Sequence, residues 1–322
     1  MADIKLSHCP VCGSRSLLTR RLPAAAMLAA LEDYYGRSGA ENSLQADYEI
    51  RKCTTCTLEF SWPMTGGSPE FYSWITMEQD YYPAFRWEWG EVGDWLARLP
   101  RAIRLLEIGC GSGSFLESIR PLDNVAAVGI DFTEASVAIC RGKSLDVHRQ
   151  TLEEFSARQH EFGNKFDAVV AFHCLEHVTD PLGLIRDMSQ LLSADGRIFV
   201  STPYSPMSIE AGWFDPLNHP PHHLTRWNER AYRELGTQLQ LHPKFRMPKA
   251  VSLWRRIVDG TLFASRGRRH SKKPTSVVAA ALINPLGLIQ NIVAQIRRDR
   301  VDGVVASDVV LVEFSKQPPV VA

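Results

Sequence analysis

A chain of 322 residues, 45% hydrophobic and 22% charged, has the composition of a soluble globular protein, long enough for one large domain or two with an appendage. Its 36 Lys and Arg balance 36 Asp and Glu, so no global field argues for nucleic acid or an acidic surface as partner. The opening Met1-Ala2-Asp3-Ile4-Lys5-Leu6-Ser7 lacks the apolar core of a secretory leader. That places the protein in the cytoplasm, where paired cysteines favour a metal over a disulfide.

Four of the seven cysteines come as two knuckles, Cys9-Pro-Val-Cys12 and Cys53-Thr-Thr-Cys56. Tetrahedral zinc needs four converging thiolates, and each tight turn supplies two. Alternating, β-prone residues at Tyr48–Lys52 and Thr57–Trp62 flank the second knuckle, and Ala24–Tyr35 reads as a helix. The expectation is a zinc-ribbon-like module over 1–66 with a structural Zn2+ on Cys9, Cys12, Cys53 and Cys56. A redox pair or two unrelated turns is the alternative. Thr57 stands where the first knuckle is followed by glycine. Cys110, Cys140 and Cys174 are scattered and read as small buried residues. Residues 67–103 form an aromatic-rich helical linker or lid, with a helix over Arg86–Leu99. Tyr81, Tyr82 and Arg86 are its candidate substrate contacts.

From Arg104 the pattern alternates strand and helix. Ile103, Leu105, Leu106 and Ile108 form a buried strand that runs into Gly109-Cys110-Gly111-Ser112-Gly113 and then a helix. Val125–Ile130 is the next strand, ending in Asp131, and Thr133 is placed to cap a helix over Glu134–Arg141. A short strand near Leu145–Arg149, a helix over Thr151–Arg158, a strand over Phe166–Phe172 and a helix over Pro181–Leu192 follow. Asp195-Gly196 is expected to turn the chain into a strand over Arg197–Thr202. Strands separated by helices pair in parallel. The fold class is therefore α/β, a doubly wound Rossmann-like sheet.

A strand, glycine turn and helix bring a nucleotide-like ligand against bare backbone. Asp131 can accept both ribose hydroxyls, for NAD and S-adenosylmethionine alike. A dinucleotide fingerprint puts glycine at 114; Ser114 stands there and the glycine is at 113. Glu107 is placed to meet an ammonium group and would repel a pyrophosphate.

Glu107-Ile-Gly109-Cys-Gly111-Ser-Gly113, Gly129-Ile-Asp131, Phe166-Asp167-Ala-Val-Val-Ala-Phe172-His173-Cys-Leu175-Glu176-His177 and Asp195-Gly196-Arg197-Ile-Phe-Val-Ser201-Thr202-Pro203, in this order, resemble the class I S-adenosylmethionine-dependent methyltransferases over about residues 100–205. The resemblance implies that Gly109, Cys110, Gly111 and Gly113 cradle the methionine part, that Asp131 binds the ribose and Phe132 the adenine, and that Phe172 and His173 sit beside the ligand. It implies an antiparallel last strand and a domain over 104–247 and 304–316. Arg149-Gln150-Thr151-Leu152 departs from the acidic residue the family often has near the third strand. Together with the two knuckles and the Pro-His-His-Leu loop, the chain resembles bacterial methyltransferases of sugars and surface-glycan precursors.

On the substrate side, Trp213–Trp227 carries His219, His222 and His223 among prolines. Such a connection, after a strand's C-terminal end, lies beside the ligand crevice. Histidine suits proton removal near neutral pH, so His222 and His223 are the candidate bases, with Tyr204, His219 and Arg226 as substrate contacts. His177 and Glu176 read as residues that hold the loop. Asn228 is placed to cap a helix over Glu229–Gly236, and strands are expected at Gln238–Arg246 and Ser307–Phe314. Lys244–Arg300 holds thirteen Lys and Arg against two Asp. The basic, apolar helical insertion at 248–303 fits a homodimer contact, a substrate lid or a peripheral membrane contact better than a span. The expected activity is methyl transfer from S-adenosylmethionine to a sugar hydroxyl, free, nucleotide-linked or in a glycan precursor. C-methylation of a nucleotide-linked keto sugar, an NAD-dependent oxidoreductase and a non-catalytic zinc adaptor are the alternatives.

Overall fold

The computed structural model describes residues 8–39, 44, 46–76, 83–158, 165–207, 210, 214–248, 252–264, 277–301 and 308–317. Tyr81 and Tyr82 lie outside them. At the N-terminus run β1 (Ser16–Leu22), the alanine-rich helix α1 (Ala24–Tyr35), β2 (Tyr48–Cys53) and β3 (Glu59–Trp62). The hairpin around the second knuckle is as its alternation predicts, and β1 adds a strand the pattern had not marked. Two helices lead to the core. Ser68 starts α2 (Pro69–Ile75) by accepting from the Phe71 N–H, and α3 (Trp87–Ala97) follows.

The core then alternates β4 (Ile103–Ile108), α4 (Ser114–Ile119), β5 (Val125–Asp131), α5 (Glu134–Gly142), β6 (Val147–Arg149), α6 (Leu152–Ala157), β7 (Phe166–Phe172), α7 (Pro181–Leu191) and β8 (Leu192–Pro203). Thr151 and Glu154 form a reciprocal capping box at α6, which satisfies two orphan N–H groups at that end. Thr133 makes no side-chain cap on α5; its own N–H donates to Asp131 Oδ1 at 2.8 Å. Asp195-Gly196 also differs from expectation. It lies inside β8, where the register to β7 shifts between Phe166↔Leu192 and Ala168↔Arg197, so the extra residues are absorbed as an irregularity of one long strand.

A two-residue strand β9 (Thr225–Arg226), α8 (Glu229–Leu239) and β10 (His242–Arg246) come next, then α9 (Leu253–Ala264), α10 (Val277–Ile283), α11 (Pro285–Val301) and β11 (Val309–Ser315). Asn228 caps α8 through its Oδ1 and the Ala231 N–H. The seven-stranded sheet has the order β10-β11-β8-β7-β4-β5-β6, parallel from β8 to β6, with β11 antiparallel to both its neighbours. This is a doubly wound, Rossmann-like α/β sheet with antiparallel strands at one edge. Val169, Val170 and Val200 are fully buried at its centre, as a sheet covered on both faces requires.

β9 belongs to a second sheet, in the order β1-β2-β3-β9. The loop that follows the core therefore pairs with the cysteine-bearing hairpin, Glu59 with Arg226 and Phe60 with Thr225. Leu58 and Phe60 share one buried cluster with Trp227, Tyr232 and Phe314. The Asn228 amide N–H donates to Thr57 O at 3.2 Å, and the Thr57 hydroxyl lies 3.2 Å from Asn228 Oδ1. Thr57 adopts a left-handed φ of 64°, the conformation the glycine of the first knuckle takes freely, and Asn228 holds it there.

In the insertion, α9 packs on α11 through Asn291, whose amide donates to Ile257 O at 2.9 Å and Thr261 Oγ1 at 3.2 Å. Trp254, Leu282 and Leu286 are exposed. Among the described residues no helix is long and apolar enough to cross a membrane.

Candidate active site

Chain order reverses between β4 and β7, because β5 and β6 lie to one side and β7 and β8 to the other. The crevice outside the strand ends at such a switch point is where α/β sheets bind ligands. β4 delivers Gly109, β5 Asp131 and β7 His173. Gly109, Gly111 and Gly113 all have positive φ, at 67°, 52° and 76°. The turn is also tightly backed. A Cβ at Gly109 would overlap Cys174 Sγ, and one at Gly113 would lie 2.5 Å from Leu145 Cδ1 and 2.9 Å from Cys140 Sγ. The Cys110 N–H donates to Ile130 O at 3.1 Å, tying the turn to β5.

Asp131 closes the cradle. Its Oδ2 accepts the Gly111 N–H at 3.0 Å and its Oδ1 the Thr133 N–H at 2.8 Å. Those bonds orient the carboxylate and leave lone pairs for two hydroxyls. The Phe132 ring beside it is exposed. Glu107 is buried, and its Oε2 has no partner among the described residues. Burial, with Cys140 and Asp131 nearby, holds its carboxyl well above the usual range. An orphaned buried acceptor next to bare backbone fits a ligand with a cationic amino acid end.

Across the crevice, His173 follows β7 in a left-handed conformation, φ 51°. It is gripped between carboxylates, Nε2 at 2.9 Å from Glu88 Oε1 and Nδ1 at 3.3 Å from Glu176 Oε1. Burial alone would lower its pKa, but contact with Glu176 and Glu88 outweighs it and the net direction is upward. Burial likewise works against the Glu88 carboxylate, and the His173 bond and charge bring it below the ordinary value. Nothing in the sequence marks Glu88, which sits in an aromatic stretch between Trp87 and Trp89. Glu176 is the i+3 neighbour of His173, a spacing visible in the sequence. Arg86 precedes α3 and acts electrostatically on Glu88 and His173. Phe172 is buried against Phe115, ring centroids 4.8 Å apart, so it backs the crevice from within the core.

The Pro-His-His loop sorts its polar residues into two groups. His219 Nδ1 donates to Asp215 O at 2.7 Å, and its Nε2 accepts from Arg226 at 3.1 Å. Burial and the Arg226 charge lower its pKa to about 3, and with both nitrogens engaged it is not a substrate contact. Arg226 reaches both Glu210 oxygens at 2.5 Å and lies 3.6 Å from Glu59. Its guanidinium clamps the loop to the cysteine-bearing sheet and does not present itself to a substrate anion. Tyr204, half-buried, continues β8 and pairs with Trp227 through an isolated bridge.

The second group is His222, His223 and His177. His177 Nδ1 donates to His222 O at 2.6 Å, which holds the loop as expected. Burial, with His177 and its neighbours, pushes His222 and His223 well below the usual histidine range. That direction makes each a weaker proton acceptor than the free imidazole on which the sequence expectation rests.

Far along the chain the four knuckle sulfurs converge. Cys9 and Cys56 Sγ are 3.5 Å apart, Cys12 and Cys53 Sγ 3.4 Å, and all four lie within 4.8 Å of one another. A tetrahedron with metal–sulfur bonds of about 2.3 Å has edges of about 3.8 Å, so the donor set fits zinc. Thr55 and Cys56 N–H groups donate to Cys53 Sγ. The Cys56 thiol, with backbone N–H groups, brings Cys9 down to about 5 against its burial.

Residues 86–242 match the sequence profile of a family described as a methyltransferase domain. That segment, just under half of the chain, is similar to methyltransferase domains. Its sheet order and glycine turn have the arrangement that the resemblance to the class I S-adenosylmethionine-dependent enzymes predicts. The chain is 36% identical over 105 residues to a ubiquinone biosynthesis O-methyltransferase of Aromatoleum aromaticum, covering 31% of this chain and 43% of the relative. It is 36% identical over 113 residues to the protein of that name from Xanthomonas axonopodis pv. citri, covering 33% and 46%. The match thus spans less than half the length of either relative. Among solved structures, an S-adenosylmethionine-dependent methyltransferase from Archaeoglobus fulgidus superposes with a TM-score of 0.49 at 16% identity, over 76% of this chain and 99% of that one.

Proposed function

We propose that the protein transfers a methyl group from S-adenosylmethionine to a hydroxyl oxygen of a small-molecule or glycan acceptor. The observation that carries this reading is the cradle at the switch point: three left-handed glycines backed by side chains, with Asp131 oriented by two backbone N–H groups. In this reading Gly109, Cys110, Gly111 and Gly113 hold the methionine portion and Asp131 the ribose hydroxyls. Phe132 flanks the adenine, while Phe172 and His173 border the reacting end. Glu107 meets the ammonium group; an adjacent cation favours the ionised carboxylate that burial otherwise suppresses. The acceptor oxygen attacks the sulfonium methyl carbon in line, the carbon–sulfur bond breaks, S-adenosylhomocysteine leaves and the hydroxyl proton is released. The chain contributes alignment and exclusion of water. We further infer one structural Zn2+ on Cys9, Cys12, Cys53 and Cys56, in a closed site with no open position.

For the acceptor, the resemblance to glycan-modifying enzymes with paired knuckles supports a sugar hydroxyl. The names of the curated relatives favour a second reading, a hydroxyl of an intermediate in ubiquinone biosynthesis. Radiolabelled methyl transfer across nucleotide sugars and quinone precursors separates them, and an O–CH3 product resonance excludes carbon methylation. Calorimetry with S-adenosylhomocysteine and NAD in parallel tests the donor. Binding of NAD alone would overturn the proposal.

A further inference from the structure

His177 ends a short turn, Leu175–His177, directly after the strand that carries His173, whereas His222 and His223 come from the loop more than forty residues on. The fold nevertheless brings them together. Ring centroids are 4.5 Å apart for His177 and His222, 4.8 Å for His177 and His223, and 4.6 Å for His222 and His223. One ring nitrogen of each lies within 4.8 Å of the others. The two segments are locked by the backbone, since the Leu224 N–H donates to Glu176 O at 2.7 Å and the Thr225 hydroxyl to Leu175 O at 3.3 Å.

Each imidazole is oriented by an oxygen. Nδ1 of His177 faces His222 O at 2.6 Å, Nδ1 of His222 faces Leu217 O at 2.9 Å, and Nδ1 of His223 faces Asn218 Oδ1 at 2.9 Å. A carbonyl oxygen only accepts, so the proton sits on Nδ1 and the lone pair on Nε2. An imidazole that donates one N–H to a carbonyl and offers the other nitrogen is how proteins prepare histidine for a metal. Metal–nitrogen bonds of about 2.0–2.1 Å set tetrahedral ligand nitrogens about 3.4 Å apart, a spacing inside the 4.8 Å within which one ring nitrogen of each histidine lies.

From this geometry we propose that His177, His222 and His223 form a second metal site, which binds one divalent ion of the zinc and cobalt class through three imidazoles and keeps a coordination position open. Three neutral nitrogens without a carboxylate select against magnesium and calcium. The site is also near the donor crevice along the chain: Cys174, three residues before His177, backs Gly109. If the methyl-transfer reading holds, on which this one step rests, an acceptor hydroxyl at the open position gives up its proton to solvent more readily than in water.

The test uses the full chain as purified, with its cysteine site filled. Metal found by elemental analysis plus Co2+ taken up from solution should total about two ions per chain. The added Co2+ should show d–d absorption with no thiolate charge-transfer band, and X-ray absorption at the cobalt edge should show imidazole scattering. His177→Gln and His223→Gln should bring the total to about one while keeping a cooperative thermal transition. A total of one in the wild type, sulfur-only scattering, or unchanged uptake in both variants would overturn the site. The X-ray absorption result on the wild type decides the matter if the variants do not fold. Co2+ bound with this signature alongside no affinity for S-adenosylhomocysteine would uphold the metal site and sink methyl transfer.

Discussion

Gly109→Ala probes why the turn proposed to hold the donor has its shape. Two separate costs follow from the structure. A residue with a Cβ at a φ of 67° pays about 1–2 kcal/mol for the left-handed conformation. The new methyl also overlaps Cys174 Sγ, and forcing an extra methyl into packed surroundings costs about 1–3 kcal/mol. Together they disfavour the competent turn by roughly 2–5 kcal/mol. Affinity for S-adenosylhomocysteine should fall tenfold for about each 1.4 kcal/mol of that total. Cys174→Ala separates the two contributions. With the sulfur removed, the nearest remaining contact is Cys174 Cβ at 3.8 Å, an ordinary separation, so Gly109→Ala should then cost only the conformational part. A double-mutant cycle read by titration calorimetry, with urea unfolding alongside, should therefore show a coupling of about 1–3 kcal/mol. If Gly109→Ala loses the same affinity with or without Cys174, the thiol is not what demands glycine there. If it loses none, the turn does not bind the donor.

Asp131→Ala should abolish detectable S-adenosylhomocysteine binding, because it removes the ribose acceptors and also frees the Gly111 and Thr133 N–H groups; retained affinity would exclude Asp131 as the ribose ligand. Arg226→Met should destabilise by about 3 kcal/mol, the low end for breaking a buried pair because this one is partly exposed, while leaving donor affinity unchanged; a loss of affinity with full stability would restore a ligand role. Cys56→Ser should remove one metal equivalent and lower the melting temperature, and unchanged metal content would refute the zinc assignment. The grip on His173 is pH-dependent with a definite sign. The folded pKa of His173 lies above its ordinary 6.5 and that of Glu88 below its ordinary 4.5. The stabilisation is thus full between those values and fades as pH rises through the folded His173 pKa or falls through that of Glu88. The stability gap between wild type and Glu88→Gln should be largest near pH 5.5 and shrink toward pH 9, and a flat gap would mean that His173 is not held as a cation.

Much of this protein is written locally. The apolar strands β4, β5 and β7, the glycines between β4 and α4, Asp131 at the end of β5 and the paired knuckles are short-range patterns whose backbone and ligand geometry follow from the residues themselves. Asn228 as a helix cap and the α1 boundaries were legible for the same reason. Long-range geometry decided the rest. Nothing near Thr225 or Arg226 marks a strand, because β9 exists only by pairing with β3, and that pairing turns Arg226 into a clamp. Glu88 becomes the partner of His173 only when α3 packs across the end of β7. His177 reads as a loop-holder in the sequence and does bond the His222 carbonyl, but which ring nitrogen a distant oxygen engages at His222 and His223 is set only by the fold. Local propensity thus specified the glycine turn and the carboxylate beside it, whereas the charge state and pairing of each buried polar group depended on neighbours that only the folded chain supplies.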